Sequence, residues 1–89
     1  MLHIFRKKKF EKDIKFAKRR GKNLKKLRTV LTHLVNQNPL PSYYHDHLLK
    51  GGFADCRECH IEPDWLLIYA IEDVNLILLR TGSHSDLFK

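Results

Sequence analysis

Several things are scarce in this 89-residue chain: it has two cysteines, one methionine, three prolines and four glycines. Two cysteines cannot build a disulfide scaffold, and reduced thiols are expected. No apolar run approaches the roughly 18 residues of a membrane span. The N-terminus reads Met1-Leu2-His3-Ile4-Phe5 and then turns basic. It lacks the basic, apolar, small-residue order of a secretion signal, so export is not expected and a cytoplasmic setting is. No internal repeat or low-complexity segment is present. The length implies a single domain over residues 1–89 with a small core, since a chain this short buries only about 60% of its unfolded surface. Any active site must then sit at the surface or at an edge. Hydrophobic residues at 43% and charged residues at 30% are a globular balance rather than a disordered one.

Acidic residues are also scarce where they matter. Residues 1–28 hold thirteen Lys or Arg and two acids, a net of +11, while residues 29–89 carry a net of −4. A third of the chain is therefore a cationic surface. Such asymmetry suits a polyanion or an acidic protein partner, against the plainer alternative of a solvated lysine-rich helix face.

Leu2-His3-Ile4-Phe5 reads as a short edge strand. Over residues 8–20, Phe10, Ile14 and Ala17 fall on one helical face, and Gly21 ends the helix after three basic residues. A second helix spans residues 23–36, with Leu24, Leu27, Leu31 and Leu34 on one stripe. Together they form an αα-hairpin packed on a sheet. Asn38-Pro39-Leu40-Pro41 breaks the second helix. Residues 42–52, with Tyr43, Tyr44, His45, Asp46, His47 and Lys50, read as an irregular loop of a length that is often functional. Strands are then expected over residues 53–62, 65–71 and 75–81, joined by the turns Glu62-Pro63-Asp64 and Glu72-Asp73-Val74. Short turns make them an antiparallel meander. The class is α+β: an N-terminal strand, a basic αα-hairpin, then a three-stranded antiparallel meander.

This meander concentrates chemistry at one end of the sheet. The first of its strands ends at the Glu62-Pro63-Asp64 turn, the second leaves from it, and the third returns to the same edge. His60, Asp64, Trp65, Arg80 and the Thr81-Gly82-Ser83-His84 segment should gather there. The two-residue strand period sets Glu58 and His60 on one face, and the loop with His45 and His47 is expected to fold over them. These residue types suit cleavage of RNA. A base takes the 2′-OH proton, an acid protonates the leaving 5′-oxygen, and a cation steadies the phosphoryl oxygens. Histidine carries protons near neutral pH. Arginine grips phosphate. Trp65 and Phe88 could stack on bases. Each residue also has a plainer role: a strand histidine is often merely half-exposed, a tryptophan opening a strand is often core, and an aspartate after proline is often a turn former.

Cys56-Arg57-Glu58-Cys59-His60 matches the C-x-x-C-H pattern of haem attachment. Haem is not expected: no export segment is present, and strand residues three apart face opposite ways. The same geometry argues against a redox pair or a zinc knuckle, and His45, His47, Cys59 and His84 have no zinc-site spacing. The plain reading is two small residues on a sheet.

The run His60-Ile61-Glu62-Pro63-Asp64-Trp65-Leu66-Leu67-Ile68-Tyr69 and the ending Arg80-Thr81-Gly82-Ser83-His84-Ser85-Asp86-Leu87-Phe88, with Asp46-His47 upstream, resemble the YafQ-type branch of the RelE toxin superfamily. The resemblance covers essentially the whole chain. It implies a RelE-like microbial RNase fold and a bacterial toxin of a type II toxin–antitoxin pair. It also implies an endoribonuclease that cuts mRNA, typically in the ribosomal A site among rRNA, without a metal or other cofactor. Neutralisation by a cognate acidic antitoxin is expected. By this resemblance His47, His60, Asp64, Arg80 and His84 are catalytic; the place of His84 at the end of the fourth strand makes it the expected acid, with Asp64 or His60 as base and Arg80 on the phosphate. Trp65 and Phe88 frame a base, and Glu58 and Lys50 assist in substrate binding. Glu58 stands where some relatives have aspartate, and His45 is auxiliary. Two other functions remain open from the residues alone: a toxin of the same fold acting on DNA gyrase, and a non-catalytic RNA-binding protein.

Overall fold

Periodicity and capping account for the helices. A computed structural model describes residues 1–51 and 55–88. Helix α1 spans Lys8–Arg19 and buries Phe10 and Ala17. It ends where Gly21 turns left-handed at φ +77°, so that the Gly21 and Lys22 amides reach back to the Lys18 and Ala17 carbonyls, a hydrogen-bonded stop that favours glycine. Helix α2 spans Leu24–Val35 and buries Leu27, Val30 and Leu34. The Asn23 side chain accepts from the Lys25 amide at its start, satisfying one of the amides a helix leaves open.

Strand β1 is His3–Arg6, one residue later than the sequence suggests; Leu2, just before it, is buried. The expected loop is more regular than its composition implies. Ser42–Tyr44 form a 3-10 turn, and His47–Leu48 form a short strand, β2, paired antiparallel with the next strand. That register sets His47 opposite Glu58. Backbone pairing, which composition does not reveal, holds this segment in place. The meander follows as β3 Arg57–Glu62, β4 Trp65–Glu72 and β5 Asn75–Gly82. Residues 53 and 54 of the expected first meander strand, and Gly52 of the expected loop, lie outside the described residues. A four-residue helix, α3, covers His84–Leu87.

The sheet order is β1-β5-β4-β3-β2, with β1 parallel to β5 and the other pairs antiparallel. Trp65, Leu67 and Tyr69 join Phe10, Leu27 and Val30 in a core on the helix side. Leu66 and Ile68 join Leu87 of α3 in a smaller core on the other face. This explains the continuous apolar run in β4, because a strand covered on both faces has no solvent side. Cys59 belongs to the first core and Cys56 to the second, so the two thiols face apart. Burial pushes the Cys59 thiol up to about 12, which keeps it protonated and unreactive.

Two register shifts matter for the site. One separates His60 from Glu62 on β3, and the other makes Leu79 an extra residue on β5, just before Arg80. Bulges of this kind re-aim neighbouring side chains. Among the described residues no helix is long and apolar enough to cross a membrane.

Candidate active site

The meander delivers its imidazoles to one rim. His60 sits near the end of β3, and His84 opens α3 directly after β5. Their ring centroids are 5.7 Å apart. The segment before β3 adds His45 and His47, with centroids 5.4 and 6.4 Å from His60. His45, expected to be auxiliary, is thus the nearer of the two. It occupies the left-handed region at φ 51°, a conformation that costs energy for a non-glycine residue and persists where neighbours enforce it.

Each central imidazole has a carboxylate. His60 Nε2 donates to Glu58 Oε1 at 3.1 Å, which also lies 3.9 Å from His47 Nε2. Glu58 is only 5% exposed, and the imidazoles face its carboxylate. His84 uses both its backbone amide (2.9 Å) and Nδ1 (2.6 Å) on Asp64 Oδ1. These two donors hold the Asp64 carboxyl below the usual carboxylate range. A carboxylate accepts only, so Nδ1 of His84 carries the hydrogen and Nε2 faces outward. His47 is oriented in a similar way, with Nδ1 donating to the His45 carbonyl at 2.6 Å.

The His84 turn is fixed from several directions. Ser83 and Asp86 form a reciprocal capping box. Asp86 also takes a two-pronged contact from Arg20, the residue that caps the end of α1, at 2.8 and 3.1 Å. Arg20 and the Ser83 amide bring the Asp86 carboxyl down to about 2. Gly82 is required by close approach: a Cβ there would sit 3.0 Å from both Cβ and Oδ2 of Asp86.

Three of the expected site residues, Trp65, Arg80 and Lys50, take other positions, while Asp64 and Phe88 stay beside His84. Trp65 is 1% exposed and belongs to the helix-side core, its Nε1 donating to Thr81 Oγ1 at 2.9 Å. Its ring is therefore structural, with 1% of the residue left exposed where it lines the cleft beside Arg80; the apolar strand that follows it is central, so its first residue is core. Arg80 turns to α1, where Nε and Nη2 meet Asp13 at 2.7 and 3.1 Å. It can do so because β1 pairs only as far as Leu78, which leaves that edge of β5 open. Arg80 still lines a cleft of about 460 Å3 together with Asp64, Arg20 and Lys22. Lys50 is exposed and lies beyond the Leu49–Cys56 pairing, at the opposite end of β3 from His60. Asp64, engaged twice by His84, is a poor proton acceptor. Phe88 follows α3 and is 42% exposed.

Other residues that build the rim gave weaker hints. Asp13, one of two acids in the cationic third, also accepts from the Thr81 amide at 3.1 Å. Its isolation among cations next to the apolar face was the available clue. Asp46 accepts from the Tyr69 hydroxyl at 2.7 Å and from Arg57 at 3.3 and 3.4 Å, anchoring the peptide between His45 and His47 to the sheet. The Glu58, His60 and His84 donor atoms all lie within 4.8 Å of one another, close enough to surround one small group.

A family model for YafQ, a bacterial toxin of the type II toxin–antitoxin system, matches residues 2–89. The chain belongs to this family. The mRNA interferase toxin YafQ of Escherichia coli K12 is 45% identical to this YafQ-family chain over 80 residues, which cover 89% of the chain and 87% of that protein. The crystal structure of a copper-bound mutant toxin from Helicobacter pylori superposes with a TM-score of 0.95 at 44% identity, covering 99% of this chain and all of that one. The toxin in the Escherichia coli DinJ–YafQ complex superposes with a TM-score of 0.92 at 41% identity over the full length of both chains. The α+β architecture is thus that of the YafQ toxins.

Proposed function

We propose that this YafQ-family toxin is an endoribonuclease that cuts mRNA by moving the 2′-oxygen onto the adjacent phosphorus. The 2′-oxygen–phosphorus bond forms and the 5′-oxygen–phosphorus bond breaks, leaving a 2′,3′-cyclic phosphate and a 5′-hydroxyl. His60 takes the 2′-OH proton, and His84 delivers a proton to the departing 5′-oxygen from Nε2. The supporting observation is the pair of imidazoles 5.7 Å apart, each steadied by its own carboxylate. Ligand atoms of Glu58, His60 and His84 lie within 4.8 Å of one another, so both rings reach the same small group. Asp64 holds the tautomer and direction of His84 rather than acting as base, because its two hydrogen bonds from His84 keep it ionised. Glu58 stabilises positive charge on His60, and His47 approaches from β2. Arg80 offers the phosphate backbone the N–H groups that Asp13 does not engage. The protons move between side chains, and no step requires a metal.

The cationic helices supply sequence-independent attraction to mRNA and rRNA, which supports action on ribosomes in the bacterial cytoplasm. The same surface suits a cognate antitoxin with an acidic segment, and the Escherichia coli DinJ–YafQ toxin–antitoxin complex is a family member bound to an antitoxin. Residues 1–89 work as one domain in this scheme.

His84→Ala tests it. Cleavage of a translated message, read by primer extension, should fall by at least about 100-fold, the usual range for a lost proton carrier. RNA affinity by filter binding should change little. Wild-type cleavage in the variant would remove His84 from the mechanism.

A further inference from the structure

A second cleft, of about 810 Å3, opens from His60, His45 and His47. That size lies within the roughly 300–1,000 Å3 of small-ligand pockets. Asp64 is not part of it and lines the Arg80 cleft instead. Tyr43 and Tyr44 of the 3-10 turn contribute one set of walls, and Lys26 and Thr29 of α2 contribute another. Tyr43 is 69% exposed. Its ring lies 4.6 Å from that of Tyr44 with a 32° tilt, and Tyr44 packs against the helix-side core. The outer ring is thus backed by an anchored one. The turn is held by Tyr44 N–H donating to the Pro41 carbonyl and His45 N–H donating to that of Ser42, at 3.1 and 3.0 Å. Lys26 Nζ, held 2.8 Å from Glu62, brings a cation to the cleft.

An exposed, buttressed aromatic ring beside proton-transfer groups is a stacking surface for a planar ligand. We infer that this cleft is a nucleotide subsite, holding the base of a nucleotide that flanks the cleaved bond of single-stranded RNA, with Tyr43 stacked on its face. The inference rests on the ribonuclease reading and adds to it the residue that grips the base. Trp65, sealed in the core, does not serve that purpose.

The test is single-turnover cleavage of a short RNA, with and without ribosomes, by the wild type, Tyr43→Ala and Tyr43→Phe, with thermal unfolding of each as a folding control. Tyr43→Ala should raise the half-saturating concentration roughly 5- to 150-fold, the equivalent of one base–aromatic stack. The maximal rate should stay within about threefold, as for lost uniform binding. Tyr43→Phe keeps the ring and should restore the affinity. The same RNA with an abasic nucleotide at one or other flank of the scissile bond gives the second readout. One of the two should weaken wild-type binding by the factor seen for Tyr43→Ala, and should cost the alanine variant nothing more. An alanine variant with wild-type affinity, or one that loses as much on abasic RNA as the wild type does, overturns the subsite. Absence of cleavage by the wild type on any RNA, with or without ribosomes, would instead defeat the ribonuclease reading itself.

Discussion

Trp65→Phe separates a core tryptophan from a base-binding one. The indole is 1% exposed, so the substitution leaves the surface facing RNA unchanged. Its Nε1 donates to Thr81 Oγ1, and the Thr81 hydroxyl donates onward to the Leu66 carbonyl at 2.6 Å. Phenylalanine removes the first bond and keeps the second, so only an acceptor lone pair on Thr81 is left unmatched. The lost bond costs about 1 kcal/mol. The smaller ring leaves a void of about 40 Å3 by volume difference, or about 1 kcal/mol at ~24 cal/mol per Å3. The sum of about 2 kcal/mol should lower the midpoint of thermal unfolding by roughly 8–16 °C in a domain of this size. Circular dichroism on heating measures that fall. Cleavage assayed well below both midpoints should remain within about threefold of wild type, because the rim is carried by His60, His84 and their carboxylates. An unchanged midpoint with a large loss of cleavage would show that the indole meets the RNA, and would refute its placement as core.

Three further outcomes follow from the geometry of the rim. The Asp86 carboxyl is lowered to about 2 in the folded chain against an ordinary 3.8, so its contribution is fully present above about pH 4 and is lost as pH falls toward 2. Arg20 is 40% exposed and screened by water, leaving about 1 kcal/mol; the stability gap between wild type and Asp86→Asn should be about that at pH 5 and close by pH 2, and a gap independent of pH would contradict the pairing. Gly82→Ala should press on Asp86, displace the His84 turn and cost about 1–3 kcal/mol, with cleavage falling more than RNA affinity; wild-type kinetics in this variant would mean that the turn yields freely. Added Cu2+ should be captured by Glu58, His60 and His84 and inhibit cleavage, with a chelator restoring it and Glu58→Gln blunting the effect; undiminished cleavage with Cu2+ bound elsewhere would show that these ligands do not close on an ion.

The helices were legible because their signals are local. Phe10, Ile14 and Ala17 mark one face, Gly21 marks a stop, and Asn23 a start. The meander was legible because two short turns leave few alternatives, and it brought His60, Asp64 and His84 together as that topology requires. What the sequence concealed depends on backbone pairing and on bulges. The strand His47–Leu48 is too short to show a period, yet its register is what sets His47 opposite Glu58. The bulge at Leu79 breaks alternation just before Arg80, so no counting of odd and even positions would have aimed that guanidinium at α1. Trp65 was ambiguous because its motif neighbours include both core and rim residues; the continuous apolar run behind it was the better guide.

Asp13 shows why the basic helix cannot be read as a charged surface alone. As a lone acid among lysines it looks like a solvated residue. It instead accepts from the Arg80 side chain and from the Thr81 amide, while about two turns further on, Arg20 holds Asp86. Helix α1 thus grips both sides of Gly82, the residue whose missing Cβ lets Asp86 pack close. The turn carrying His84 is clamped between a strongly basic helix and a strand that ends at the rim. Two ion pairs tie that helix to the turn, each with one oxygen also accepting a backbone amide. Under the proposed mechanism, Asp13→Asn or Asp86→Asn, each of which raises the net charge by one, should lower cleavage without weakening RNA binding.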